Sequence, residues 1–408
     1  MKTPVHKRAA PRTATQGFSL IELMVASTVG LIVTLAVTGS VLSMGRQFSI
    51  VGSNVAAQGN AQVALSVLDA AGRAAGAGFY NNGRLICANW NAWNGTTLVS
   101  DGGVFMPARI VGGGSITASD TLMFTGGGGT GALSAVPVME PALGANIKVS
   151  EAGGMALNDV AVVGVPGAAQ PCTLIQLTAA PAASASGCGG NATTCEVLIR
   201  NANQGLNPGP SDFSSNPTYG FTSAGGTIGP SVVSRVGSSA SGFRQDAFAV
   251  QCNAMVRYNA FMSAAVPACT NVPLGFGAGV DAIASDVVLM HAQYGVSSSG
   301  SSDIVTEWVE PTGATWGGTP TAANVARIKA VRVVVVARSK EADNTQVSAA
   351  CTSPAGVVNT GPCSFQDAAA PVIDLSATSV VAGKTWRNYR YRVHQAVIPL
   401  RNVIWSDS

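Results

Sequence analysis

The chain has 408 residues, 47% of them hydrophobic, with 48 glycines and only 11% charged residues; that length exceeds one average domain and is enough for a sizeable core. Lys2, Lys7, Arg8 and Arg12 are the only charges in the first seventeen residues, and without these four the 23 Lys plus Arg of the whole chain fall to 19, against 20 Asp plus Glu. The nearly neutral remainder lacks the basic footprint of a nucleic-acid-binding protein, so no nucleic-acid partner is expected.

The basic start leads into QGFSLIELMVASTVGLIVTLAVTGSVLSM at residues 16–44, where positions 23–44 carry no charge. As a helix at about 1.5 Å per residue this uncharged run spans roughly 33 Å, enough to cross the hydrocarbon core of a bilayer. The positive flank predicts that its N-terminal side stays in the cytoplasm and the rest faces outward. An ordinary secretory signal would have a shorter apolar region that is lost on cleavage. Here the obvious junction, between Gly17 and Phe18, lies ahead of the run, so a cut there leaves the anchor on the mature chain.

Gly17, Phe18, Ser19, Leu20, Ile21 and Glu22 resemble the type IV prepilin signature. The resemblance implies that residues 1–17 are a leader removed by a prepilin peptidase and that Phe18 becomes the N-methylated N-terminus. It also implies that Glu22 meets the positive N-terminus of a neighbouring subunit within an apolar filament core. Physics supports such a pairing, because a lone carboxylate in hydrocarbon costs several kcal/mol, and a nearby ammonium offsets part of that cost. Glu22 would then set one axial register between subunits. The competing reading leaves it hydrated at the membrane interface.

Beyond the anchor, Ala57, Ala61, Ala64, Leu65 and Leu68 recur at helical spacing, and no proline interrupts residues 13–106. Gly72, Gly76 and Gly78 predict the stop. One helix is expected from about residue 19 to about residue 75. Residues 18–44 form its membrane or filament half, and residues 45–76 an amphipathic half with one face on a globular head. Gly39, Gly45, Gly52 and Gly59 each lower helix propensity by roughly 1 kcal/mol relative to Ala.

The head, residues 77–408, is expected to be β-rich. Short strands are predicted at 121–124, 160–165, 173–177 and 196–199, with residues 205–242 mostly loop. Stronger strand patterns follow at 286–296 (DVVLMHAQYGV), 328–338 (IKAVRVVVVAR) and 389–397 (YRYRVHQAV). The last alternates Tyr389, Tyr391 and Val393 against Arg390, Arg392 and His394. The fold class is therefore α+β and pilin-like: a long N-terminal helix whose amphipathic half packs on an antiparallel sheet. GVDAIASDVVLMHAQYGV at 279–296, VRVVVVARS at 331–339 and RYRVHQAVIPLRN at 390–402 resemble PilW-type minor pilins, to which the J-type pseudopilins of type II secretion are related. The resemblance covers residues 18–85 and 279–402 and leaves 85–270 as a candidate insertion.

Cys87, Cys172, Cys188, Cys195, Cys252, Cys269, Cys351 and Cys363 all follow the anchor, and an even count in an exported region suggests disulfides. Sequence neighbours, Cys188 with Cys195, Cys252 with Cys269 and Cys351 with Cys363, are the economical pairs; free buried thiols are the alternative.

A search for chemistry finds little. His291 and His394 sit in strand patterns, and HExxH, paired CxxC and EF-hand motifs are missing, so no metal or cofactor is expected. GGGGTG at 126–131 satisfies GxGxxG formally, but Pro137 and Pro141 spoil the helix that should follow. Gly383, Lys384 and Thr385 resemble the end of a P-loop whose first glycine is replaced by Thr378. Phe79, Tyr80, Trp90, Trp93, Trp386, Tyr389 and Tyr391 are read as packing aromatics, with a sugar-binding patch as the alternative. No enzyme is expected.

The resemblance thus implies a minor pilin anchored in the inner membrane with a periplasmic head, later part of an extracellular pilus. Its implied partners are the prepilin peptidase, other minor pilins and the major pilin, the inner-membrane assembly platform and a tip adhesin. A type II secretion pseudopilin and a pilin-delivered adhesive head are the alternatives.

Overall fold

The computed structural model describes residues 17, 19–81, 84–127, 135–139, 145–167, 169–185, 195–209, 213, 231–238, 242–263 and 279–404. Phe18, Cys188, Cys269 and Pro141 lie outside the described residues, as do most of the glycine run at 126–131 and much of the 205–242 stretch. The chain divides into two compact units, residues 1–53 and 54–408.

The helix runs Leu20–Ala74 over 55 residues. In the first unit its Leu20–Leu42 segment has a mean hydropathy of 2.2 and is long and apolar enough to cross a membrane. Apolar side chains there point outward all round, with Ile21 73% and Leu35 64% exposed. The hydroxyls of Thr28, Thr34, Thr38 and Ser40 donate to carbonyls three or four residues earlier, so the few polar groups of the stretch are satisfied within the helix.

In the second unit the helix is one-sided. Ala57, Ala61, Ala64 and Leu68 are buried, whereas Val55, Gln62 and Val63 are exposed. Ala57 and Ala61 pack with Ala337; Ala64 and Leu68 enter the main core beside Tyr294, Val331, Val333 and Ile398. The stop belongs to Gly76 and Gly78, whose φ values of 78° and 82° glycine adopts without the strain a side chain brings. Gly76 donates to the Thr125 carbonyl, and Asn402 Nδ2 donates to the carbonyls of Ala75 and Arg73. Gly72 is not part of the stop: it lies inside the helix, where it permits close packing.

Under the helix lies a four-stranded antiparallel sheet in the order Val305–Val309, Val287–Ser297, Ile328–Arg338, Tyr391–Pro399. The Ile328–Arg338 strand is buried on both faces, which accounts for its unbroken valine run. Val331, Val333 and Val335 meet the helix side, while Val334 and Val336 pack with Leu289, Ile373, Leu375 and Trp386 on the other. The last strand starts two residues later than its alternation suggests. Tyr391 and Val393 pack toward the Trp386 side, and Ala396 and Ile398 toward the helix side, so neither face is uniformly solvated.

A five-stranded antiparallel sheet runs Val280–Ser285, Ala254–Asn259, Phe243–Gln251, Thr121–Gly127, Ala108–Val111. Its central hairpin turns through Cys252 and Asn253, both at positive φ, the conformation of a two-residue type I′ turn. Buried Tyr294 joins the two sheets: its hydroxyl accepts from the Ile110 amide at 2.6 Å and donates to the Ile110 carbonyl. Burial pushes the Tyr294 hydroxyl up to about 12.

A six-stranded sheet in the order Leu98–Val104, Asn89–Trp93, Cys172–Gln176, Val160–Gly164, Val232–Gly237, Val136–Pro137 completes the larger layers. The Val232–Gly237 strand falls within the stretch expected to be mostly loop. Val232 and Val236 face one core and Val233 another, and burial on both faces outweighs the surrounding turn-rich composition. Phe79, Trp90, Phe105, Phe243 and Phe261 form an aromatic cluster in this part of the head, with Phe79 stacked on Phe105 at 4.1 Å.

Candidate assembly site

Ser19 and Glu22 bracket the first turn of the helix. Ser19 N–H donates to Glu22 Oε2 at 3.2 Å, and Glu22 N–H donates to Ser19 Oγ at 3.1 Å. This reciprocal capping box follows from the S-x-x-E spacing, and a carboxylate in the first turn is favoured by the helix dipole. Two of the amides that every helix leaves unpaired at its start are thereby satisfied. Glu22 is exposed, and its Oε1 takes no hydrogen bond among the described residues. Gly17 is exposed too, and nothing stands within 4 Å of where its β-carbon would be, so its own surroundings do not demand a glycine.

The head carries two buried polar groupings that sequence reasoning did not single out. His291 Nδ1 lies 3.2 Å from Asp120 Oδ2, and its Nε2 lies 3.1 Å from the Ile116 carbonyl. Both partners are acceptors, so the ring satisfies both only as an imidazolium. Burial opposes that charge, but the hydrogen bond and attraction of Asp120, the Ile116 carbonyl and Glu310 outweigh it and raise the His291 pKa. Asp120 also accepts from the Ala292 amide, and its own amide donates to the Met290 carbonyl. The loop before residue 121 thus pairs along the Val287–Ser297 strand. His394 is half-buried, and desolvation with the nearby Arg392 charge lowers its pKa.

Arg332 is 1% exposed, with its guanidinium 4.8 Å from the Trp308 ring and 4.7 Å from the Phe365 ring. It donates to both Asp367 carboxylate oxygens, at 2.7 and 3.1 Å, to the Ala369 carbonyl and to Gln293 Oε1. These groups clamp the segment around residue 367 onto the sheet.

Cys87 pairs with Cys172, 85 residues away, and Cys351 with Cys363, 12 residues away. Cys195 and Cys252 are also disulfide-bonded, and their expected partners Cys188 and Cys269 lie outside the described residues. Gly126 and Gly127 sit against the Ala74 and Val236 carbonyls respectively, which places the start of the glycine run in close backbone packing at the helix end. Lys384 bonds to the Asp343 carbonyl and Asn344, and Thr385 opens a short 3-10 turn. Among the described residues no group of three or more His, Cys, Asp or Glu is placed to hold a metal ion.

An apolar helix opened by a capped Ser-x-x-Glu turn, whose amphipathic half lies on an antiparallel sheet, defines a pilin-like protein. Residues 12–38 match the prokaryotic N-terminal methylation motif, and residues 270–402 match the family described as type IV pilus-assembly protein W. Together the two matches mark the chain as a PilW-like minor pilin associated with a type IV pilus. Families of this kind are structural assembly proteins. No curated protein and no solved structure matches the chain.

Proposed function

We propose that the chain is a prepilin cut between Gly17 and Phe18, methylated on Phe18, and held in the inner membrane by residues 18–44 with its head in the periplasm. From there it joins other minor pilins and the major pilin in a complex that primes pilus assembly and stays near the tip. The observation that carries this reading is the union, on one chain, of the methylation motif on a capped apolar helix with the PilW-type sheet beneath that helix. No catalytic step is involved. The helix supplies an apolar stave, and the head presents surfaces to neighbouring subunits.

Glu22 fixes the axial register. One carboxylate oxygen is held by the Ser19 amide of its own chain, leaving the other to meet the Phe18 ammonium of a neighbour. In an apolar bundle any other register leaves a carboxylate and an ammonium unpaired, at a cost of several kcal/mol. A head this much larger than its four-stranded sheet favours low copy number, because bulk is hard to repeat along a fibre.

Mass analysis of the N-terminal peptide of the membrane form tests the reading. A peptide starting at methylated Phe18 is expected, and a start elsewhere overturns it. Deletion of the gene should abolish twitching; loss of protein export instead would assign the chain to a secretion pseudopilus.

A further inference from the structure

The two edges of the four-stranded sheet are finished differently. On one side the Val287–Ser297 strand is covered, by Val305–Val309 along residues 294–297 and by Ser119 and Asp120 along residues 290–292. On the other side the Tyr391–Pro399 strand pairs with Ile328–Arg338 without a register shift from Ala330↔Pro399 to Arg338↔Tyr391. The bonds Ser339 N–H to Arg390 O and Leu400 N–H to Lys329 O fix the phase of this ladder. Even-numbered residues bond inward, so the amides and carbonyls of Tyr391, Val393, Gln395 and Val397 point outward. None of these has a hydrogen-bond partner among the described residues. Long, flat, unbulged edges with this many free groups are what soluble proteins avoid, by bulges, inward charges or covering loops.

We propose that this edge receives an extended strand from a different subunit of the pilus, adding a fifth strand beside the helix. The proposal rests on the pilin reading above. Geometry argues against a second copy related by a two-fold axis as the occupant. Helix residues 57 and 61 meet Ala337, and Gly72 meets Ile398, which pairs with Val331; the helix therefore runs along the strands. Two copies joined through this edge by a two-fold axis would point their helices in opposite directions. Chains that enter one membrane with the same orientation cannot do that.

Charge and pattern describe the incoming strand. The Tyr391–Pro399 strand holds no acid, and neither exposed Arg392 nor exposed Arg401 just beyond it forms an ion pair among the described residues. Val393 and Val397 lie on the opposite face from Arg392, with Val397 51% exposed. A strand that alternates acidic and apolar residues matches both faces, acids beside Arg392 and apolar side chains beside the valines.

The test uses the full-length mature protein in detergent and an alternating Glu-Val peptide as probe, followed by hydrogen exchange. In the protein alone the Val393, Gln395 and Val397 amides exchange fast while those of His394 and Ala396 are protected. Saturating peptide slows the first set by about tenfold or more, and a Lys-Val peptide does not. Gln395→Pro removes one outward amide from an edge position that tolerates proline. It leaves the inward ladder in place, so the variant is folded, cut and membrane-bound but depleted from pili, unlike Gln395→Ala. Outward amides already protected in the isolated protein, protection that grows with protein concentration alone, no response to the Glu-Val peptide, or Gln395→Pro entering pili as well as Gln395→Ala each overturn the proposal. A start at methylated Phe18 alongside any of these leaves the pilin reading standing while the edge reading falls.

Discussion

Gly72 and Ile398 meet with no room for a side chain between them: a β-carbon on Gly72 would overlap Ile398 Cγ2 and stand 3.2 Å from the Phe124 ring. This contact sets how closely the helix lies on the last strand. A large residue there must push the helix off the sheet or force Ile398 and Phe124 from their rotamers. Gly72→Leu is expected to lower stability by about 1–3 kcal/mol, the usual cost of overpacking. Gly59, with nothing within 4 Å of its would-be β-carbon, behaves in the opposite way. Gly59→Ala gains up to about 1 kcal/mol of helix propensity. Denaturant unfolding of the two variants side by side checks both signs, and equal effects would contradict the packing described.

Arg332 and Asp367 form a pair with unequal stakes. The Arg332 side chain is 1% exposed and that of Asp367 47%. Removing the arginine takes the donor from Gln293 Oε1, while the Ala369 carbonyl keeps Gln293 Nε2, and it empties the space between Trp308 and Phe365. Arg332→Ala is expected to cost about 3 kcal/mol or more. Asp367→Asn leaves the guanidinium its other acceptors and an exposed amide partner, so about 1 kcal/mol is expected. The hydrogen bond and charge of Arg332 hold the Asp367 carboxyl below the usual carboxylate range, against a smaller effect of burial. Urea midpoints for the two variants measure the asymmetry; a larger loss at Asp367 would reverse this account.

His291 links stability to pH. Burial alone would lower its pKa, yet Asp120, the Ile116 carbonyl and Glu310 raise it above its ordinary 6.5. A raised folded-state value means that the stabilisation is fully present below pH 6.5 and is lost as pH rises through the folded value. Glu310 acts with the same sign at lower pH, since burial raises its carboxyl from 4.5 against the pull of Gln293, and its ionisation weakens the fold. Stability should therefore decline as pH rises above 6.5. His291→Gln, which keeps one donor but cannot titrate, should flatten that decline. Melting temperatures across the range decide it, and an identical slope in the variant would assign the decline to another group.

What the sequence made legible was whatever a local pattern determines. The apolar run specifies its helix without help from the head, and VRVVVV reads as a strand. The Ser19–Glu22 cap, carried by the S-x-x-E spacing, and the burial of that strand on both faces emerge only with the structure. Tertiary burial decided the rest. Val232–Gly237 reads as part of a loop because its neighbours are turn formers, and only packing of Val233 and Val236 into separate cores makes it a central strand. The Cys252–Asn253 turn lacks the Asn-Gly signal that marks such hairpins. Gly72 reads as a breaker, although the Ile398 contact is long-range in sequence. Asp120 carries no motif, and its role exists only because the loop meets the Val287–Ser297 strand.

Glu22 offers the sharpest separation between local and assembly roles. In the isolated subunit it caps its own helix, a task that Gln performs through the same side-chain oxygen. Meeting a neighbour's ammonium in an apolar bundle requires the negative charge. Ser19→Ala removes only the hydroxyl half of the cap, at about 1 kcal/mol of helix stability. All variants should still be cut between Gly17 and Phe18, since neither change touches Gly17. The ratio of protein in sheared pili to protein in membranes should then stay near wild type for Ser19→Ala. It should fall by about tenfold or more for both Glu22→Gln and Glu22→Ala, because an unpaired buried charge exceeds the 1.4 kcal/mol that a tenfold change requires. A Glu22→Gln variant that enters pili as well as wild type would reduce the residue to a helix cap and remove charge pairing from the assembly mechanism.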